Sequence, residues 1–132
     1  MSSDAIQRRV AKGAKLLDEK GPVNWAELID INILDIQSVE HCGLGQVCRG
    51  MSPRVSGYTF GISTMLGVTT SNQRCADHGF TIYNQEPIYN FGLLRRAWIR
   101  EVKIRLQAAS HKEQEATQIE LEQVVDEELA LV

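Results

Sequence analysis

The sequence contains no run of apolar residues near the roughly 20 that a membrane-spanning helix requires. Its first ten residues, MSSDAIQRRV, carry charges where a signal peptide has its apolar segment. Only three cysteines are present, an odd number that argues against a disulfide framework. The net charge of −3 argues against a protein that coats nucleic acid or an anionic membrane. We therefore expect a cytoplasmic protein with reduced thiols and with neither a membrane nor a nucleic acid as partner.

What the sequence does contain is the composition of an ordinary globular domain, with 132 residues of which 43% are hydrophobic and 23% charged. This length accommodates one core. A Gly21-Pro22 pair predicts the end of a first helix, because proline cannot continue the hydrogen-bond ladder. We predict a mainly α fold of four to five helices with at most a minor two-stranded β element. The apolar residues at helical spacing in the first helix are Ile6, Val10, Ala14 and Leu17.

The most regular pattern follows Pro87, a residue suited to the first turn of a helix. Apolar residues recur there every three or four positions to about residue 109, which predicts a helix with one buried face. Its opposite face carries an exposed basic stripe of Arg96, Arg100 and Lys103. The predicted core combines the two helices with a short segment after Asn24. Its members are Ile6, Val10, Leu17, Trp25, Leu28, Phe91, Leu94, Trp98 and Val102.

Residues 41–80 contain seven of the ten glycines, which disfavours long helices and favours short helical turns joined by tight loops. The runs 31–36 and 80–83 have the β propensity for the minor β element. Loops on a rigid frame often carry function, so the 41–80 segment is the expected place for a small-ligand site.

Three thiols and one imidazole supply the ligand number and types of a tetrahedral zinc site, namely Cys42, Cys48, Cys75 and His78. Cys75 and His78 have a usual ligand spacing, but Cys42 and Cys48 are too far apart for one zinc knuckle. Buried thiols and no cofactor are therefore the main expectation, with zinc as the alternative. A thiolate of Cys42 or Cys48 activated by His78 is an enzymatic alternative. Gln46, Asp77 and Asn84 are the candidates for orienting the imidazole ring. His78 is also suited to the end of a helix that Gly79 closes.

The segment 43–48, GLGQVC, begins like a dinucleotide-binding loop. It lacks the third glycine, and no clean strand precedes it. We interpret Gly43 and Gly45 instead as positions where a short helix approaches its neighbours closely. No nucleotide is therefore expected.

Residues 111–132 form an acidic C-terminal helix or tail after a globular part of residues 1–110. Seven carboxylates and one lysine give residues 112–132 a charge of −6, so the rest of the chain carries +3. The spacing of Leu121, Val125 and Leu129 predicts an amphipathic helix that docks on the body or on a partner chain. An acidic helix suits a basic groove, either this protein's own or a host protein's.

A set of short motifs gives the chain a family resemblance. They are Gly13 with the LLDE of 16–19, Pro22, Trp25, Ile29, the LD of 34–35, the CGLGQ of 42–46, the GY of 57–58, the LG of 66–67, the HGF of 78–80, and Trp98. Over about residues 10–105 this pattern resembles small hypothetical proteins encoded by bacteriophages of actinobacteria. The resemblance implies a phage or prophage gene expressed in a bacterial cytoplasm, and it carries no catalytic residue across.

These observations favour a small phage-encoded accessory protein that binds a host or phage macromolecule without catalysis, as an inhibitor, anti-defence factor or assembly component. A homo-oligomer is compatible with this function, and the virion is the alternative location. The candidate partner-binding residues are Arg96, Arg100, Lys103, Leu121, Val125 and Leu129. The alternatives are a small-ligand or zinc-binding protein and a Cys/His-dependent enzyme. Their candidate residues are Cys42, Gln46, Cys48, Cys75 and His78.

Overall fold

The computed structural model describes the backbone of residues 3–67 and 72–131, and the side chains of 4–67 and 72–121. Within these ranges the regular structure is helical, which confirms the predicted mainly α fold. None of the described helices is both long enough and apolar enough to cross a membrane. The elements are α1 (Ser3–Lys20), a 3₁₀ helix (Trp25–Leu28), α2 (Gly43–Val47), α3 (Gly57–Met65), α4 (Asn72–Asp77) and α5 (Asn90–Leu131).

The first helix ends at Lys20, directly before the Gly21-Pro22 pair that predicted its end. The Gly21 amide donates to the Leu17 carbonyl at 2.9 Å, and Pro22 follows outside the helix. One face of α1 packs along the first turns of α5. The four residues that define this face, Ile6, Val10, Ala14 and Leu17, are 0–1% exposed, which confirms the period read from the sequence.

Trp98 is the centre of the core. It is fully buried on α5, and its indole Nε1 donates to the Gly79 carbonyl at 2.6 Å. Phe80 stacks on it at 5.3 Å between ring centroids, and Trp25 meets it edge-on at 6.2 Å. The indole N–H of Trp25 donates to Asp18 at 2.9 Å, so both indole N–H groups are satisfied. The three aromatic rings join α5 to the 3₁₀ helix and to the segment after α4.

Two members of the predicted core differ from expectation. Leu28 is 41% exposed, so its prediction was wrong. The 3₁₀ helix ends there, and Ile29 follows in an extended conformation (φ −93°, ψ 114°) that turns its side chain into the core, 5% exposed. Phe91 is half-buried and packs against the edge of the core.

The optional β element between 31–36 and 80–83 is absent from the described residues. Short side-chain turns form instead, since the carboxylates of Asp30 and Asp35 accept from the amides two residues further on at 2.9 and 3.0 Å. Arg95 takes two carbonyls that a strand would need: its Nε donates to Leu34 at 2.8 Å and its Nη2 to Ile31 at 3.0 Å.

The last helix continues well past residue 109, where the sequence pattern weakens. It runs unbroken for 42 residues from Asn90 to Leu131. Neither glycine nor proline occurs after Gly92, so no residue interrupts the ladder. The acidic segment is therefore the distal part of the same helix that holds Trp98.

Candidate protein-binding surface

The three cysteines are all buried and unbridged. Cys42 and Cys48 flank α2 as its N-cap and C-cap residues, and Cys75 lies within α4. The Cys42 sulfur accepts from the Gly45 amide at 3.4 Å. These thiols are packing residues of the short helices.

Burial also sets the chemistry of the thiols. Desolvation raises the pKa of Cys42 to about 11 and also raises the pKa of Cys48 and of Cys75. Burial and a hydrogen bond with Cys75 raise the pKa of Tyr58 as well. Cys42 and Tyr58 both line a cavity of about 250 Å³. At neutral pH this cavity presents a thiol and a phenol, both uncharged, whereas a cysteine nucleophile needs the thiolate.

His78 occupies the end of α4. Its Nδ1 donates to the Arg74 carbonyl at 2.8 Å, and its ring stacks on Phe80. Gly79 follows with φ +71°. Its own amide donates to the Ala76 carbonyl at 3.0 Å, and the Phe80 amide donates to the Cys75 carbonyl at 2.9 Å. This double return is the Schellman motif, which explains the His-Gly pair without a ligand. In the part of the chain that the structure describes, no group of three or more His, Cys, Asp or Glu side chains is placed to hold a metal ion.

Gln46 connects α2 to the preceding loop. Its Oε1 accepts from the Asp30 amide at 2.7 Å, and its Nε2 donates to the His41 carbonyl at 2.8 Å and the Asp30 carbonyl at 3.3 Å. Gly45, the residue before Gln46, lies so close to the backbone of the preceding loop that an added Cβ would be 2.1 Å from the Val39 carbonyl oxygen. The expected close approach is confirmed for Gly45 and is wrong for Gly43, where an added Cβ would meet nothing within 4 Å.

A buried ion pair that the sequence patterns did not reveal joins α1 to the loop before α5. Arg9 donates to the carbonyls of Ala76 at 2.7 Å and Thr81 at 2.9 Å, and its Nη1 lies 2.8 Å from Glu86. The two charged side chains are 9% and 4% exposed. Arg9 looked like one more residue of a basic segment, because sequence spacing alone does not show that its partner lies 77 positions away.

The carboxylate of Glu86 is held from several sides. It accepts from the Tyr83 amide at 2.7 Å and from Asn90 Nδ2 at 2.6 Å. Burial by itself would raise the pKa of Glu86, but these hydrogen bonds and the charge of Arg9 lower it below the ordinary value. All of these polar contacts lie within the chain, so the cluster holds the loop before α5 in place.

The basic residues of α5 divide into two sets. Arg95 is used by the 31–34 loop, and Arg105 pairs with Asp18 at 2.7 Å and Glu101 at 2.5 Å. The predicted basic stripe remains: Arg96, Arg100 and Lys103 are all exposed on the side of α5 opposite Trp98.

A groove between α1 and α5 runs beside this stripe. It has a volume of about 420 Å³. Arg8 and Arg100 stand at its sides, and Ala11, Ala97 and Ile104 provide apolar lining. Ile104 follows Arg100 by one helical turn, so it lies on the same exposed face, and it is 49% exposed. The isoleucine within the basic stripe was the sequence signal for this apolar groove, which periodicity alone did not reveal.

The distal part of α5 leaves the body gradually: Leu106, Ala109 and Lys112 still line a cavity of about 360 Å³ together with Val23 and Trp25. Every side chain from Leu106 to Leu121 is exposed. Apolar side chains are included: Leu106 is 38%, Ile119 55% and Leu121 60% exposed. Leu121 is therefore accessible, as expected of a partner-binding residue, whereas the side chains of Val125 and Leu129 lie outside the described residues.

Comparisons of this chain with protein-family models, with curated proteins and with solved structures found no match.

Proposed function

We propose that this chain is a phage-encoded accessory protein that acts without catalysis, by binding a host or phage protein through the distal part of α5. The phage origin follows the resemblance of residues 10–105. One observation carries the binding function: every side chain of the helix from Leu106 to Leu121 is exposed, apolar side chains included.

Helices in proteins draw most of their stability from packing an apolar face on other elements. Holding each residue in a helical conformation costs about 1–2 kcal/mol of backbone entropy. Every side chain from Leu106 to Leu121 is exposed, so this part of the helix buries little apolar surface in return. A helix with this arrangement is suited to insertion in a groove of a partner, a common mode of recognition.

The exposed apolar groups provide the energy for such docking. Leu106 and Leu121 lie on the same side of the helix, whereas Ile119 points to nearly the opposite side. Fully burying one leucine contributes about 1.5–3 kcal/mol, and the exposed parts of Leu106 and Leu121 together amount to about one leucine, so covering them would contribute about 1.5–3 kcal/mol. Acidic residues around them add attraction to a basic partner and faster association. In the body, by contrast, the three thiols are buried and protonated, which favours binding over nucleophilic catalysis.

The test compares proteins captured from a bacterial lysate by the full chain and by the double variant Ile119→Asp with Leu121→Asp, by quantitative mass spectrometry. A matched control, Val39→Asp with Val55→Asp, makes the same chemical change on the body at side chains that are 54% and 45% exposed. A second control, Cys42→Ser with Cys48→Ser, tests the thiol-based alternatives.

We expect a saturable partner that both controls retain and the α5 variant loses. If the cysteine variant loses the partner while the α5 variant keeps it, the binding site belongs to the 41–80 segment and the proposal is wrong.

A further inference from the structure

The cavity of about 250 Å³ beside Cys42, called here the Cys42 cavity, differs in charge from two other cavities of the molecule. The groove between α1 and α5 and the cavity of about 360 Å³ at Val23 each have four charged side chains in their lining. No charged side chain of the described residues lines the Cys42 cavity. It therefore offers surroundings for an uncharged ligand.

Aromatic rings from three parts of the fold form walls of the Cys42 cavity. Tyr58 comes from α3, Phe80 from the segment after α4, and Phe91 from the first turn of α5. Aromatic groups pack favourably on one another in offset or edge-to-face arrangements. This lining is therefore suited to a ligand that contains an aromatic ring.

The inner wall of the cavity is part of the core, and its outer side is open. Ile36 and Phe80 are 7% and 2% exposed, whereas Val39 is 54% exposed. A molecule that enters beside Val39 thus reaches core side chains. An apolar cavity of about 150 Å³ is sufficient to bind benzene. The Cys42 cavity, at about 250 Å³, accommodates an aromatic molecule of one or two rings.

Most polar side chains of the lining already have partners within the chain. The Cys42 sulfur accepts from a backbone amide of α2, and the Ser38 hydroxyl accepts from two amides of its own loop. Tyr58 is hydrogen-bonded with Cys75. The hydroxyl of half-buried Thr81, by contrast, has no hydrogen-bond partner among the described residues. It is available to a ligand.

We infer that the Cys42 cavity binds a small, uncharged aromatic molecule that carries one hydrogen-bonding group for the Thr81 hydroxyl. This site is separate from the distal part of α5, so the inference is independent of the proposed function. A charged ligand is disfavoured, because moving a charge from water to an apolar site without a counter-charge is costly. A molecule of about nine non-hydrogen atoms is expected to bind with a dissociation constant on the order of 1 mM.

The first experiment titrates the full chain with indole and follows the backbone amides by NMR. The amides of Cys42, Thr81 and Phe91 should show saturable shifts with a dissociation constant on the order of 1 mM. The amide of Leu121 should not shift. Benzoate, an aromatic anion with the same number of non-hydrogen atoms, should give no saturable shift at the cavity.

A substitution at the open side locates the site. Val39→Trp places a large side chain at the entrance and should weaken indole binding by at least about tenfold, which corresponds to the loss of most of the contact. Val55→Trp is the matched control, because Val55 is 45% exposed and lies outside the lining. It should leave the affinity unchanged. Amide spectra that match the unchanged chain away from the substitution show that both variants fold.

The hydrogen bond is tested separately with Thr81→Val, which keeps the branched shape of the side chain and removes the hydroxyl. The backbone carbonyl of residue 81, which accepts from Arg9 at 2.9 Å, is retained. The affinity for indole should fall about two- to tenfold, the value of one hydrogen bond. Indene, which has the same ring framework without an N–H group, should bind both chains equally.

Each outcome decides on the inference alone. Shifts that do not saturate, or that spread over the whole surface, overturn it. An indole affinity that Val39→Trp leaves unchanged places the ligand elsewhere and also overturns it. The same holds if Thr81→Val leaves indole binding unchanged or weakens indole and indene equally. None of these results alters the capture of a partner by the distal part of α5, so the proposed function is tested separately.

Discussion

Replacing Arg9 by methionine tests the ion pair that holds the loop before α5. Methionine has nearly the same helix propensity as arginine, so α1 itself should be unaffected. The change removes three contacts of 2.7–2.9 Å, two to the carbonyls of Ala76 and Thr81 and one to Glu86. It leaves the Glu86 carboxylate, 4% exposed, without its cation.

The expected loss follows from that burial. Breaking one partner out of a buried pair typically costs about 3–5 kcal/mol, because the remaining charge is uncompensated. Each orphaned carbonyl adds about 1 kcal/mol. Small domains are stable by only about 5–15 kcal/mol. Together these contributions predict that Arg9→Met lowers the free energy of unfolding by about 5–7 kcal/mol, a large part of the total.

Urea unfolding followed by tryptophan fluorescence gives the measurement, since Trp98 lies in the affected core. Arg8→Met is the matched control, because Arg8 is exposed beside it, and should change stability by less than about 0.5 kcal/mol. Adding Glu86→Gln to Arg9→Met should recover at least about 1 kcal/mol by removing the unpaired charge. A loss below about 1 kcal/mol for Arg9→Met, or a double variant with purely additive losses, would refute the reasoning.

Three further predictions follow from the same structure. Hydrogen bonds from Arg105 and Trp25 outweigh desolvation and lower the pKa of Asp18, and the pKa of Glu86 is also lowered, so both carboxylates stabilise the fold above their unfolded pKa of about 4. This stability should be lost as the pH falls through the lowered folded-state pKa values of the two carboxylates. Urea unfolding at several pH values should show a smaller loss of stability at low pH for Glu86→Gln than for the unchanged chain. An identical pH dependence of the free energy of unfolding in the two proteins would contradict this prediction. The thiols of Cys42, Cys48 and Cys75 should react with a thiol reagent at pH 7.5 only after unfolding, so stoichiometric labelling of the native protein would disprove their burial. Gly45→Ala places a methyl group 2.1 Å from the Val39 carbonyl oxygen and should lower the urea midpoint well beyond the exposed control Gly92→Ala; an unchanged midpoint would show that α2 can move away.

Periodicity was enough to predict the parts of the fold that depend on one helix face meeting a core. Ile6 to Leu17 on α1 and Leu94 to Val102 on α5 are buried at the predicted spacing, and the basic stripe lies opposite. The prediction that Leu28 is buried was wrong because its burial depends on where the 3₁₀ helix ends and the extended conformation begins. Sequence composition does not reveal that choice of backbone conformation. The β propensity of 31–36 was overridden by side-chain turns and by Arg95, whose contacts span 61 and 64 positions.

The candidate sites divide in the same way. The cysteine and histidine pattern offered zinc ligands by type, but ligand geometry depends on tertiary placement, and His78 and Gln46 are each used locally by a helix end and a loop. The partner-binding residues depend on exposure along one helix, which periodicity does describe. What sequence reading missed was that the acidic segment continues α5, because its weaker apolar pattern looked like a new element.

The continuity of α5 changes what a partner of the distal segment encounters. Starting a helix is its costly step, since several residues must be fixed before the first hydrogen bond forms. Here the core around Trp98 has already completed that nucleation, and the residues beyond Leu106 only propagate an existing helix. A partner that bound this segment, as proposed, would meet a preformed helix of about 38 Å rather than a tail that must fold upon contact. Any substitution that destabilises the core around Trp98 should therefore also unwind the helix beyond Leu106 and weaken the proposed binding there.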